Sequence, residues 1–160
     1  MTEHGDLEVR ETGAASGAGD PLVGGLNAIL EVERAGTRIL TALMATGDVP
    51  GANVLLAQVQ RDQACNCAQL TRIVRRLGGA PSMAVGSLRD KVLALDGLED
   101  RLELMNRGQA WIARRLDHIV PRVADADIRA ELGEIRDTHR ANIAVCAVLL
   151  DGLSEFSIED

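Results

Sequence analysis

Hydrophobic residues recur at intervals of three and four along four long segments of the chain, which is the spacing of one face of an α-helix. The segments cover residues 22–45, 51–77, 88–120 and 126–150. Glycine and proline residues separate the segments, and the alternation that is typical of β-strands is missing. We therefore predict an all-α fold in which four amphipathic helices form one bundle.

The remaining residues predict a simple domain organisation. Residues 1–20 are rich in Gly, Ala, Glu and Asp, a composition that favours a flexible N-terminal tail. Residues 21–152 then form the bundle, and residues 153–160 form a C-terminal tail. The longest apolar run, residues 143–150, is far too short to span a bilayer, so no membrane segment is expected.

Polar residues interrupt each hydrophobic stripe near its middle. A polar group on a core-facing position is unfavourable unless it is hydrogen-bonded, so such residues need a reason. Because all four helices are interrupted at a similar depth, we predict one shared polar centre inside the bundle. The inward-facing polar residues are Glu33, Gln63, Asn66, Asn106, Gln109, His139 and Asn142.

Two interpretations of this polar centre remain open from the pattern alone. The residues form either a buried hydrogen-bond network that fixes the helix register, or the lining of a binding cavity. Neighbouring acidic residues, Glu31, Asp62 and Asp137, lie off the inward stripes and are expected to face solvent or another helix. Cys146 is on the inward stripe of helix four, where we expect a small core residue.

Composition and charge exclude several classes of function. The chain has 160 residues, a net charge of −7 and only two aromatic residues, Trp111 and Phe156. An acidic chain with so few stacking surfaces is not expected to bind nucleic acid. Nucleotide-binding motifs are missing, because no lysine lies in a phosphate-loop context. The N-terminal residues lack the apolar core of a signal peptide and the three cysteines form no disulfide framework, so a cytoplasmic location is expected.

Two sequence runs resemble the bacterioferritins. Leu26–Glu33, LNAILEVE, is similar to the first-helix run Leu-Asn-x-x-Leu-x-x-Glu, in which the last Glu is a di-iron ligand. Leu77–Pro81, LGGAP, is similar to the Leu-x-Gly-x-Pro turn that ends the second helix of that family. Counted from this turn, the family's other ligand positions fall on Gln63, Asn66, Asn106, His139 and Asn142. The resemblance covers roughly residues 22–150. It implies a ferritin-like four-helix bundle with a crossover between helices two and three, which then run parallel.

The residues at these positions depart from the ligand set that the resemblance implies. A ferritin-like di-iron site uses four carboxylates and two histidines. Here the set has one carboxylate, Glu33, and one imidazole, His139, and amides occupy the other four positions. Two iron ions would leave a large uncompensated buried charge, so ferroxidase activity is not expected. Ala64 stands where the family has its haem-ligating methionine, so haem is not expected either.

Three hypotheses about function follow. In the first, the centre binds one transition-metal ion through Glu33 and His139, or a small polar ligand through the amides of Gln63, Asn66, Asn106, Gln109 and Asn142. In the second, the centre is closed by internal hydrogen bonds and the bundle is a structural or interaction protein. In the third, which we rank last, the chain is a non-haem metal oxidase. We also expect a homodimer through helix faces, with Trp111 either at the core edge or at the interface.

Overall fold

The computed structural model of the protein describes residues 19–46 and 51–157, and these confirm the predicted all-α fold. No strand is present among them. The elements are α1, Pro21–Thr46; α2, Ala52–Arg76; α3, Leu88–Leu93; α4, Leu98–Ile119; a 3-10 turn, Val120–Arg122; and α5, Ala126–Ser157. None of these helices is both long enough and apolar enough to cross a lipid bilayer.

Four long helices surround one hydrophobic core. The closest packing joins α1 to α2 and α4 to α5, and α1 also packs against α4 while α2 packs against α5. The backbones of α1 and α5 make no contact, nor do those of α2 and α4, so each of these pairs is diagonal in the bundle. Leucine, isoleucine and valine side chains from all four helices fill the space between them.

The helix directions follow from contacts at one end of the bundle. Gly79, just after α2, lies against Val23 near the start of α1, and Ile119 at the end of α4 lies against Gly25 of α1. Both α2 and α4 therefore end beside the start of α1 and run in the same direction. At the opposite end, Ser154 of α5 donates a hydrogen bond to Glu99 of α4, so α5 is antiparallel to α4.

Residues 77–87, between α2 and α3, form a linker that runs along α1. This linker carries the chain back towards the other end of the bundle. Gly78 has a left-handed φ of 80°, and the Gly78 and Gly79 amides donate to the carbonyls of Arg75 and Val74. This is a Schellman ending, which a glycine favours because it has no Cβ. Asn27 then holds the linker from both sides, since its Nδ2 donates to the Ala80 carbonyl and its Oδ1 accepts from the Ser82 amide.

The predicted third helix is not continuous, and this corrects the sequence interpretation of residues 88–120. It divides into α3 and α4, with Gly97 in an extended conformation between them. Arg101 of α4 donates to the carbonyls of Leu93 and Leu95, which the end of α3 leaves without helical partners. The apolar spacing continues across the break, which is why periodicity alone predicted one helix.

The C-terminal end of the bundle also differs from the prediction, whereas the N-terminal end is not tested. The N-terminal tail, apart from its last two residues, lies outside the described residues. At the other end, α5 continues to Ser157, and Leu153 packs against the core within the segment that we assigned to a C-terminal tail. Asp125 caps the start of α5 by accepting from the Asp127 and Ile128 amides, and the Ile128 hydrogen bond lowers the pKa of its carboxyl.

The attachment of the linker to α1 can be tested at Asn27. We expect Asn27→Ala to lower the free energy of unfolding because it removes two hydrogen bonds to the linker, each contributing about 0.5–1.5 kcal/mol. Asn53→Ala is the matched control, since Asn53 is an exposed residue of α2. Denaturant unfolding should place Asn27→Ala about 1–2 kcal/mol below the control. Equal stabilities would contradict this role of Asn27.

Candidate functional site

Three polar side chains from three helices meet in the core and form what we call the central cluster: Glu33, Asn66 and His139. Glu33 of α1 and His139 of α5 are fully buried, and the Glu33 Oε1 is in hydrogen-bond contact with the His139 Nε2. The Asn66 Nδ2 of α2 lies 3.2 Å from that same Oε1 and 3.4 Å from that Nε2. The cluster thus links the diagonal helices α1 and α5 through their side chains.

Gln63 and Asn142 lie one helical turn away from the cluster, on α2 and α5. Gln63 packs directly over Gly36 of α1, where a Cβ would lie 2.4 Å from the Gln63 Oε1. Gly36 therefore makes room for this carboxamide inside the bundle. Both amides are almost completely buried, with exposed fractions of 2% for Gln63 and 4% for Asn142.

The amides of α4 form a second group, beside α5. The Gln109 Nε2 donates to the Asn106 Oδ1 at 3.1 Å and to the Cys146 Sγ at 3.5 Å. The Asn106 Nδ2 donates to the backbone carbonyl of Ile143 at 3.3 Å. Asn106 is only half-buried, and its hydrogen bonds among the described residues are to Gln109 and the Ile143 carbonyl, outside the central cluster. The predicted single polar centre is therefore two groups, and Asn106 belongs to the outer one.

Five buried polar atoms have no hydrogen-bond partner among the described residues. A buried donor or acceptor without a partner is unfavourable, so each such atom marks a place where a water molecule, an ion or a ligand is expected. The five include acceptors, one amide donor and one ring nitrogen that can act in either sense. They are Glu33 Oε2, Gln63 Oε1, Gln109 Oε1, His139 Nδ1 and Asn142 Nδ2.

The neighbouring acidic and basic residues do not join the cluster. Glu31 accepts from the Ser82 hydroxyl, Asp62 accepts from Gln58, and Asp137 pairs with Arg136 and Arg140. The described residues contain no group of three or more His, Cys, Asp or Glu side chains that could hold a metal ion. A metal at the centre would therefore depend on an amide ligand as well as on Glu33 and His139.

The donor set does not fit a di-iron centre, because Glu33 is its one carboxylate and His139 its one imidazole. Glu33 Oε1 and His139 Nε2 are in direct contact, so one ion would reach both only after the two side chains move apart. Turning the Asn66 amide over would bring its oxygen to the same place, since the two ends of a carboxamide have the same shape. Three protein ligands with an open fourth position are a common arrangement for zinc and similar ions.

Cys67 of α2 lies near enough to Glu33 to be affected by its charge. It is half-buried and packs against the core, and burial raises the pKa of its thiol to about 11, with a further contribution from the nearby Glu33 charge. The raised pKa keeps this thiol protonated at neutral pH. The thiolate is the form that binds metals, so Cys67 is an unfavourable metal ligand at neutral pH.

The chain matches one family over residues 20–148, which span α1 to most of α5. That family is described as a domain of unknown function, DUF6306. The chain belongs to the DUF6306 family. No curated protein and no solved structure is significantly similar to it. The matched DUF6306 region includes every residue of the central cluster and of the α4 amide group.

Thiol reactivity can test the environment of the three cysteines. Cys65 is exposed, whereas Cys67 is half-buried and Cys146 is buried with a pKa that burial raises. At pH 8 a thiol with a pKa of about 11 is ionised in only about one molecule per thousand, and the thiolate is the reactive form. We expect a disulfide reagent at pH 8 to modify one thiol rapidly in the folded protein and three in denaturant.

Single substitutions identify the reacting thiol in this experiment. Cys65→Ser should remove the fast phase, while Cys67→Ser should leave it unchanged. A fast phase that disappears with Cys67→Ser would contradict the burial and protonation of Cys67 described above.

Proposed function

We propose that this chain is a ferritin-like helical bundle whose remodelled centre binds a single transition-metal ion and does not store iron. The observation that carries the proposal is the convergence of Glu33 Oε1, His139 Nε2 and the Asn66 amide on one point in the core. The parallel course of α2 and α4, with the linker along α1, supports the ferritin-like part of the proposal. The spacing of the bacterioferritin-like sequence runs supports it as well.

Charge and ligand count favour one ion over two. A divalent ion beside the Glu33 carboxylate leaves about one unit of buried positive charge, which amide oxygens can partly compensate. A second ion would add two more positive charges to a centre with no second carboxylate, and unpaired buried charge is strongly unfavourable. Glu33, His139 and Asn66 would hold the ion, and binding would join α1, α2 and α5 at the middle of the bundle.

Metal binding can be measured on untagged protein from which metals have been removed by a chelator. We expect Co²⁺ to give a visible absorption band that saturates at one ion per chain, and native mass spectrometry to detect the same ratio. Zn²⁺ at about one hundred times its Kd should raise the melting temperature by roughly 5–10 °C, because an ion that binds only the folded chain stabilises it. Neither signal should appear with Glu33→Gln or His139→Gln.

The matched control for these variants is His118→Gln, which changes an exposed histidine at the end of α4. It should bind Co²⁺ as the unmodified chain does. Far-ultraviolet circular dichroism establishes that each variant is folded before binding is compared. A folded, unmodified chain that gives neither the absorption band nor the thermal shift would overturn the proposal.

A small polar ligand is the second candidate, and the five buried atoms without partners favour it. Gln109 Oε1 belongs to the outer amide group, so one ion in the central cluster would leave that atom without a partner. A molecule with both donors and acceptors would satisfy amides on several helices. Native mass spectrometry distinguishes the two candidates, since a retained ligand adds a mass that chelators do not remove. The absence of both an ion and a ligand would leave the centre as a structural hydrogen-bond network.

The charge argument also predicts the response to iron. The unmodified protein should bind fewer than two Fe(II) ions per chain and should not oxidise Fe(II) at a ferritin-like rate. A variant with Gln63→Glu, Asn66→His, Asn106→Glu, His139→Glu and Asn142→His should gain iron binding and lose stability in the metal-free state. The loss is expected because neighbouring buried carboxylates repel one another.

The matched control carries Asn53→His and Gln58→Glu at exposed positions of α2. It should gain no iron in a colorimetric iron assay. Two irons per unmodified chain would contradict the single-ion proposal, whereas a folded five-residue variant without iron would contradict its ferritin-like part.

A further inference from the structure

The solvent side of α2 and α5 carries an apolar patch, formed by Val54, Leu55 and Val148, at the end of the bundle where α2 begins. All three side chains are exposed, Val54 to 74% and Val148 to 67%. Val54 lies about 18 Å from Asn66 along α2, towards the start of that helix. Val148 lies about 14 Å from His139 along α5, towards its end. These are the same end of the bundle, because α2 and α5 are antiparallel. Contiguous exposed apolar residues of this kind mark contact surfaces.

Two exposed stripes extend from this patch along α2 and α5. The stripe residues are separated by eleven and seven positions on α2 and by seven and seven on α5, so each set lies on one face of its helix. Small side chains lie in the middle of both stripes, and a charged side chain lies at the end away from the patch. The two stripes together form what we call the α2–α5 face: Val54, Cys65 and Arg72 on α2, and Glu134, Ala141 and Val148 on α5, all of them exposed.

The charges on the α2–α5 face have opposite signs on the two helices. Arg76 of α2 and Glu131 of α5 form an ion pair of 2.8 Å that fixes the levels of the two helices. Arg72 lies about one turn before Arg76, and Glu134 lies about one turn after Glu131, so these two residues are level with each other. Neither Arg72 nor Glu134 forms an ion pair with any residue that the structure describes. Each helix thus presents an unpaired charge of its own sign to solvent.

We propose that the α2–α5 face joins two copies of this chain in a homodimer whose two-fold axis is parallel to the bundle. Such an axis places α2 of each copy opposite α5 of its partner, at the same level. Arg72 then pairs with the partner's Glu134, and the apolar patch is buried against its own copy. The small side chains of Cys65 and Ala141 allow the helices to approach closely between these two contacts. The face is on the outside of the bundle, so the dimer does not depend on metal binding at the central cluster.

The order of charged and apolar residues favours a second copy in this orientation. A two-fold axis across the bundle would place Arg72 against the partner's apolar patch and bury an unpaired guanidinium there, which is strongly unfavourable. A partner surface with one uniform charge would repel either Arg72 or Glu134. A second copy brings both signs of charge and an apolar patch at matching levels, which satisfies the whole face.

Sedimentation velocity over concentrations from about 1 µM to about 1 mM measures the association. We expect the unmodified chain to change from monomer to dimer within this range. Val148→Asp puts a charge into the apolar patch and should stay monomeric where the unmodified chain is dimeric. Met83→Asp is the matched control, because Met83 is 86% exposed on the linker, outside the α2–α5 face. It should dimerise as the unmodified chain does.

Charge reversal on one helix at a time tests the orientation of the two copies. Arg72→Glu gives a face with only acidic charges and Glu134→Arg a face with only basic charges, so each alone should dimerise about tenfold more weakly. The two variants mixed in equal amounts should form a heterodimer, because both charge contacts between their faces then join unlike charges. Arg89→Glu is the control, since it reverses an exposed charge on α3 and should leave dimerisation unchanged.

The Cys65 thiol gives an independent readout, because it lies in the middle of the α2–α5 face and is exposed in the single chain. Its fast reaction with a disulfide reagent should belong to the monomer and should slow as the protein concentration rises into the dimer range. A short bismaleimide should link two chains through Cys65, and the Cys65→Ser variant should not be linked.

Three results would overturn this inference. The first is a monomer throughout the concentration range. The second is a dimer that persists in folded Val148→Asp, which would place the interface elsewhere. The third is a mixture of the Arg72→Glu and Glu134→Arg chains that associates no better than either chain alone, which would exclude the proposed pairing of α2 with α5. Far-ultraviolet circular dichroism establishes that each variant is folded, as expected for substitutions at exposed positions.

Discussion

The contact between Glu33 and His139 is the constraint on which the centre of this bundle depends. Both side chains are fully buried, and they come from helices whose backbones do not touch. An isolated buried carboxylate or imidazolium is strongly unfavourable, so each group requires the other to be in place. This polar contact therefore fixes the position of α1 relative to α5. The rest of the core at the same depth is held by leucine and isoleucine packing. A shift of either helix by one residue would turn one partner away.

The surrounding amides suit this arrangement because a carboxamide offers a donor and an acceptor on one neutral group. Asn66 reaches both members of the pair without adding charge. A charged side chain at the same position would either repel Glu33 or compete with His139. Gly36 has a related role, since its missing Cβ gives the Gln63 carboxamide a position inside the bundle. Neutral polar residues and one glycine thus allow a polar centre without an excess of buried charge.

The sequence alone predicted the four long helices and the inward direction of the polar residues, because both follow from helical periodicity. Glu33, Gln63, Asn66, Gln109, His139 and Asn142 are all buried, as that period requires. The break before α4 was not predictable in this way, since the apolar spacing continues through Leu95 and Leu98. One local contact and one tertiary contact hold the break: Arg101 satisfies the carbonyls at the end of α3, and Leu88 packs against Gly108. Periodicity also does not determine the side-chain rotamers, and these decide which polar residues form hydrogen bonds with each other. Asn106, for example, donates to the Ile143 carbonyl.

Buried polar groups and an apolar cleft lie on neighbouring residues of α1 and α4. Val32 borders the cleft and Glu33 enters the cluster, while Gly108 borders the cleft and Gln109 enters the α4 amide group. Consecutive residues of an α-helix point about 100° apart, so one turn of α1 and one turn of α4 can each serve two separate environments. The packing of α1 on α4 is consequently common to both environments. A change in that packing would therefore alter the buried polar groups and the cleft together.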